Sequence, residues 1–290
     1  MRDTCVLLVN PLSGGYSPGR IGETLSALRG YGFAPETLEV STPDDAARCA
    51  GEICRGPTSP LVVVAGGDGT INGVVNGLVP GRATLAVLPF GTSNVLSREL
   101  GITSPSHALE KIAAGVSRSA SVGYIEKGET GRYFLLMAGI GVDGAIVKGV
   151  RTAEKRLLRK GAYLLSALRL LLSWESGRLE VVSSDVTTDC HSVIVCNAAK
   201  YGGNFLIAPS ASLFDPEFRM VCMLHGTRRG ILKAAWSLVS GKGAGGAGIR
   251  TFAARDVEVR GVKPLQADGD YYLDAPVRIR TVPDFLRIVV

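Results

Sequence analysis

Aromatic residues make up only 6% of the 290-residue chain, and no basic run is interleaved with them. That scarcity removes the stacking platforms of single-strand binders. No recognition-helix or zinc-finger spacing is present either, which disfavours nucleic acid as a partner. No uninterrupted apolar run approaches the roughly 20 residues of a bilayer span. The first apolar stretch, residues 5–9, is too short for a secretory signal. The six cysteines (Cys5, Cys49, Cys54, Cys190, Cys196 and Cys222) follow no paired metal-binding spacing, and a chain of this size needs no disulfide framework. They read as free thiols in a reducing cytoplasm. A lysine-bearing P-loop is missing, and so is a Gly-x-Gly-x-x-Gly with a later acid. The first absence excludes a P-loop enzyme; the second disfavours a dinucleotide site.

What is present is a 46% apolar composition, enough for one large or two ordinary cores, and a net charge of +6, which suits phosphorylated substrates or anionic lipid surfaces. Over the first hundred residues strand and helix patterns alternate. Residues 5–9, 37–40, 61–65 and 84–88 read as strands, and helices are expected from Ser17-Pro18 to Gly30, over 44–54, over 71–78 and from 95 to 100. This order predicts a parallel sheet with helices on both faces, whose ligands sit at the carboxyl ends of the strands. After about residue 119 strands crowd together, at 133–138, 179–183, 192–197, 219–224, 257–260, 265–267, 277–281 and 286–290, as in an antiparallel β domain. Helices are expected over 153–173 and 228–240, and a mobile glycine loop over 243–248. The expected division is an α/β domain over 1–120 and a β-rich domain over 121–290, whose last strand is able to return to the first domain.

Gly66-Gly67-Asp68-Gly69-Thr70 is the most informative stretch. It joins an apolar strand to a helix and offers backbone N–H groups at the positive end of the helix dipole, where a phosphate chain fits. Two further loops end neighbouring strands. One carries Asn10, Ser13 and Gly14; the other carries Gly91, Thr92, Ser93 and Asn94. With Asn72 they supply the amides, hydroxyls and N–H groups that a triphosphate needs. A carboxylate beside phosphates is repelled unless a divalent cation mediates, so Asp68 is assigned to a magnesium–water network rather than to a structural cap alone. Near the C-terminus, Asp268-Gly269-Asp270 follows a strand. On its own it reads more readily as a hairpin turn than as a catalytic pair.

Taken in order, these motifs resemble the diacylglycerol kinase and sphingosine kinase superfamily of lipid kinases along nearly the whole chain. The resemblance rests on the Asn10-Pro11 loop, Gly66–Thr70, Pro89 to Asn94, Gly139-Ile140-Gly141-Val142-Asp143, Asn197 with Tyr201-Gly202-Gly203, Ala208-Pro209, Asp215, and the closing acid-glycine-acid motif. It implies an NAD kinase-like α/β domain followed by an antiparallel sandwich, with ATP held in the cleft against the three glycine loops and Thr42 approaching the nucleotide. It implies transfer of the γ-phosphoryl group to a lipid hydroxyl, with Asp268 as first choice for the base and Asp270 as the other candidate. It also implies a structural magnesium at Asp215, helped by carbonyls near Ser212 and Glu217. The chain departs from the pattern at Val95 and Ser121, where many relatives carry acids, and at Asp270 and Pro216, where a Glu and a Gly are usual.

Two stretches, 155–174 and 228–239, combine basic residues with Trp174 or Trp236 and are suited to peripheral contact with the inner face of the membrane; two helices covering a sheet explain them equally well. Edge strands leave a homodimer open. The rival readings are a soluble small-molecule kinase similar to NAD kinase and a non-catalytic nucleotide- or lipid-binding protein.

Overall fold

The computed structural model describes residues 3–56, 59–150, 177–203, 205–239 and 248–290. It begins with a β/α alternation. Strand β1 (Asp3–Val9) leads to helix α1 (Pro18–Gly30), which Ser17 caps by accepting the Arg20 N–H. β2 (Phe33–Glu39) and α2 (Pro43–Cys54) follow, the latter capped by Thr42 with Asp44 and Asp45 in its positive first turn. β3 (Leu61–Gly66) is followed by α3 (Asp68–Gly77), and β4 (Thr84–Pro89) by α4 (Val95–Glu99) and α5 (Pro105–Ala114). The four strands are parallel in the order β2-β1-β3-β4. β3 and β4 are buried almost throughout, which is why they read as continuous apolar runs rather than alternating ones.

β5 (Ser117–Lys127), β6 (Thr130–Phe134) and β7 (Met137–Ile140) open the second half, followed by α6 (Val142–Lys148). Then come β8 (Leu179–Val182), β9 (Thr187–Cys190), β10 (Ser192–Cys196) and the short hairpin β11 (Lys200–Tyr201) and β12 (Phe205–Leu206). β13 (Phe218–Met223), α7 (Arg228–Val239), β14 (Ile249–Ala254), β15 (Asp256–Arg260), β16 (Pro264–Ala267), β17 (Asp270–Asp274) and β18 (Val277–Val289) complete the chain. One antiparallel sheet has the order β14-β13-β10-β7-β16-β17. The other continues the parallel sheet as β4-β18-β15-β8-β9, and β5 also pairs with β18. A core of Ile125, Val181, Val259 and Ile279 from one sheet against Ile140, Val193, Met220 and Leu265 from the other forms the β-sandwich.

β18 ties the halves together. Its first part pairs with β5 and β15, and Arg287 and Ile288 run parallel to β4. The two strands expected over 277–281 and 286–290 are thus one strand with an irregularity between Val282 and Leu286. The single strand expected over 133–138 is instead split between β6 and β7, because the N–H groups of Leu135 and Leu136 turn onto Asp268. β5, β9, β11, β12, β14, β17, α5 and α6 were not foreseen. The helix expected over 153–173, and the glycine loop over 243–248 apart from Gly248, lie outside the described residues. No helix among the described residues is long and apolar enough to cross a membrane.

Candidate active site

The three glycine loops meet at the carboxyl ends of β1, β3 and β4. Asn10 donates from Nδ2 to Thr70 Oγ1 at 2.8 Å, and its Oδ1 accepts the Leu12 N–H at 2.9 Å. The second and third loops touch backbone to backbone. A Cβ on Gly91 would lie 2.4 Å from Gly67 Cα, so a side chain there would drive the loops apart. Gly69 faces open space. Two of the glycines thus serve loop contact, where the sequence alone suggested phosphate access. Asn94 adopts a left-handed φ of 48° and donates to the Gly91 carbonyl at 2.8 Å. Ser13 and Gly14 lie on the first loop, and Thr92 approaches Gly14 from the third.

Asp68 stands at the first position of α3, not in the turn before it. Its Oδ2 accepts the Val95 N–H at 3.0 Å and its Oδ1 the Leu96 N–H at 3.1 Å. It therefore joins the glycine turn to the first turn of α4, a capping role of the kind set aside for Asp68 in the sequence reading, though directed at α4. Val95 is buried and its side chain takes no part in this link.

Asp268 and Gly269 form the two-residue connection between β16 and β17, both with positive φ (50° and 92°), the geometry that Asp-Gly hairpin turns favour. The Asp268 carboxylate is enclosed. Oδ1 accepts the N–H groups of Leu136 (2.8 Å) and Met137 (3.0 Å); Oδ2 accepts Leu135 N–H (2.8 Å) and Asn72 Nδ2 (2.8 Å). Burial pushes its carboxyl up while these four donors pull the other way. Four donors fill the four lone-pair sites of a carboxylate. Asp268 is thus a clasp between α3, the β6–β7 bend and the closing turn. Asn72 belongs to the same clasp: it is 2% exposed, and its Oδ1 accepts Arg132 Nη2 at 3.0 Å, so its side chain is engaged between the halves.

Between the halves lies a cavity of about 550 Å³. Asp68, Gly69 and Ser93 line its glycine-loop side, and Asp268, Gly269 and Asp270 line the opposite side. Leu136, Met137, Ile146, Val147 and Phe205 give it an apolar wall, with Lys200 and Tyr201 beside them. None of these wall residues was assigned a role from sequence. The Tyr201-Gly202-Gly203 run was the one signal that pointed here.

The remaining expected site residues lie apart from this cavity. Thr42 is exposed, and its Oγ1 accepts the Asp45 N–H at 3.1 Å, so it caps α2. Ser212 and Asp215 share one turn, where the Asp215 N–H donates to the Ser212 carbonyl at 3.1 Å. Glu217 Oε1 is held by Arg255 Nε at 3.3 Å. No group of three His, Cys, Asp or Glu side chains that could hold a metal occurs among the described residues. Ser121 is buried in β5, where its N–H donates to the Leu213 carbonyl and its own carbonyl accepts Asn197 Nδ2.

Comparison with known proteins agrees with this architecture. Residues 4–125 match the profile of the diacylglycerol kinase catalytic domain, and residues 137–290 match that of the YegS C-terminal NAD kinase beta sandwich-like domain. The chain is 28% identical to a diacylglycerol kinase of Bacillus subtilis over 91% of its own length and 89% of the relative's. It is 24% identical to a diacylglycerol kinase of Mycobacterium tuberculosis, over 97% of this chain and 93% of the other. The crystal structure of a diacylglycerol kinase from Bacillus anthracis superposes with a TM-score of 0.77 at 23% identity, covering 99% of this chain and 96% of that one. An NAD kinase from Archaeoglobus fulgidus in complex with ATP shares the fold more distantly, with a TM-score of 0.54 at 13% identity, over 98% and 93% of the two chains. With both domains matched in order, the chain belongs to the bacterial-type lipid kinases of the diacylglycerol kinase catalytic domain superfamily.

Proposed function

We propose that this protein transfers the γ-phosphoryl group of ATP to a hydroxyl of a membrane-derived lipid, diacylglycerol or a sphingoid or ceramide-like lipid, with Asp270 as the general base. The observation that carries this reading is the cavity itself. It joins Gly69 and Ser93 of the glycine loops to Asp270 and to an apolar wall able to take acyl chains. Of the two acids in the closing motif, Asp268 has its lone pairs filled by four N–H donors, which favours Asp270 over Asp268 as the proton acceptor. Asp270 takes the proton of the lipid hydroxyl as its oxygen bonds to the γ-phosphorus and ADP departs.

The cavity's donor set fits a magnesium ion brought in with the nucleotide. Asp68 offers a carboxylate, and Mg²⁺ is held by one or two carboxylates together with substrate phosphates rather than by a full protein cage. Bound there, the ion would neutralise phosphate charge. A structural magnesium at Asp215 rests on the family resemblance, since that turn supplies one carboxylate and backbone carbonyls near Ser212 and Glu217 would have to complete it.

Contact with a membrane is supported by α7. Leu232 (51% exposed) and Trp236 (71%) lie one helical turn apart, with Arg229 and Lys233 also exposed beside them. The other basic, Trp-bearing stretch, 155–174, lies outside the described residues. The test is transfer of labelled γ-phosphate, with magnesium, to diacylglycerol, monoacylglycerol, sphingosine and ceramide in mixed micelles and to NAD in solution. A labelled lipid supports the reading. Label in NAD alone, or ATP binding without transfer to any acceptor, overturns it.

A further inference from the structure

The buried side chains of Asp143 and Gln266 and the half-buried Tyr201 have no part in the proposed proton transfer, yet they form one hydrogen-bonded chain. Asp143, at the start of α6, is 8% exposed. Its Oδ1 accepts the hydroxyl of Tyr201 on the β11–β12 hairpin, and its Oδ2 accepts Gln266 Nε2 at 2.7 Å. Gln266 is fully buried, and its Oε1 accepts the Gly269 N–H at 2.7 Å. The backbone makes room for this: a Cβ on Gly139 would lie 1.8 Å from Asp143 Oδ2. α6 carries Ile146 and Val147 into the apolar wall, and Gly269 immediately precedes Asp270.

Resting on the reading of Asp270 as base, we propose that Asp143 and Gln266 are positioning residues: the Asp143 carboxylate orients the Gln266 amide, and that amide holds the Gly269 N–H and so sets where the Asp270 carboxylate lies in the cavity. The polarity follows from the donors. A carboxylate accepts only, so the amide must turn its NH₂ to Asp143, which leaves Oε1 facing Gly269. An amide turned the other way would set NH₂ against N–H in a buried site and leave two donors unpaired. The chain also runs outward to Tyr201 and α6, both at the cavity wall, so a lipid pressing on that wall acts on the turn that carries the base.

The test exchanges the charge along the chain. Gln266→Leu removes both hydrogen bonds, and Gln266→Glu sets two buried carboxylates face to face. The double variant Asp143→Asn/Gln266→Glu restores every donor–acceptor pair: the new asparagine accepts from Tyr201 and donates to the new glutamate, whose other oxygen takes the Gly269 N–H. Two readouts are used, hydrogen exchange at the Gly269 amide without substrate and steady-state transfer to lipid. Each single variant is expected to speed exchange by about tenfold and to lower kcat by about 10–100-fold, with KM for ATP unchanged. The double variant returns both toward wild type.

Gln266→Leu with wild-type exchange and kcat overturns the proposal. So does a double variant that regains its unfolding midpoint but not kcat, which is the mark of a purely structural pair. Should Gln266→Leu fail to fold, Tyr201→Phe removes one hydroxyl at the far end, and unchanged exchange with unchanged kcat there overturns the proposal equally. Wild-type protein that phosphorylates no lipid defeats the lipid-kinase reading instead; exchange at Gly269 still decides the positioning chain.

Discussion

At the scale of single residues, two acids separated by one glycine stand in different places: Asp268 in the closing turn, and Asp270 at the start of β17 among the residues lining the cavity. Asp268 accepts four N–H donors. Replacing it with Asn turns an NH₂ toward N–H groups, and the expected loss is about 2 kcal/mol or more of stability, read by urea unfolding. Thr42→Ala is expected to cost about 1 kcal/mol, the usual worth of an N-cap, with ATP affinity unchanged by calorimetry. Asp143 gives a pH-dependent prediction. Burial pushes its carboxyl up, against the pull of Tyr201 and Gln266. The folded protein therefore holds this proton more tightly than the unfolded chain. The contribution is fully present below the unfolded value of about 3.9 and is lost as pH rises through the folded one. Unfolding of wild type and Asp143→Asn at a series of pH values should show the variant gaining relative stability as pH rises.

At the scale of elements, the glycine loops and α4 act as a unit. Asp68→Ala frees the Val95 and Leu96 N–H groups and is expected to cost about 1 kcal/mol while weakening ATP binding. Gly91→Ala should weaken ATP binding more, because the added methyl meets backbone, not a movable side chain. The parallel half was legible in sequence because strands buried on both faces are near-continuous apolar runs. β5 was not, since Ser119, Ala120, Ser121 and Gly123 carry too little apolar volume to read as a strand. The structure gives the reason at Gly123, where the Phe134 ring occupies the space of a side chain. α6 was hidden because Gly141 at its N-cap and Gly144 within it obscure its helical period. β9, Thr187–Cys190, alternates exposed and buried positions without an apolar pattern.

At the scale of the whole molecule, the cleft depends on contacts between residues far apart in the chain. Asn72 meets Asp268 at a separation of 196 positions, and β18 runs from the sandwich to β4. The sequence supplied the loops that line one side and the acidic motif of the other, but not how they are assigned. The clasp roles of Asn72 and Asp268 follow from donors on β6–β7 that no local pattern announces. An apolar wall assembled from β7, α6 and the β11–β12 hairpin is likewise invisible before the sheets are packed.

The most direct test of the central claim sets Asp270→Asn beside Asp268→Asn, measuring phosphoryl transfer to the best lipid acceptor and the unfolding midpoint of each. With Asp270 as base, Asp270→Asn folds with a wild-type midpoint, binds ATP and loses about 10²–10⁴ in kcat, whereas Asp268→Asn shows a lowered midpoint. Asp270→Asn with wild-type kcat, or Asp268→Asn with a wild-type midpoint and no transfer, would contradict the account.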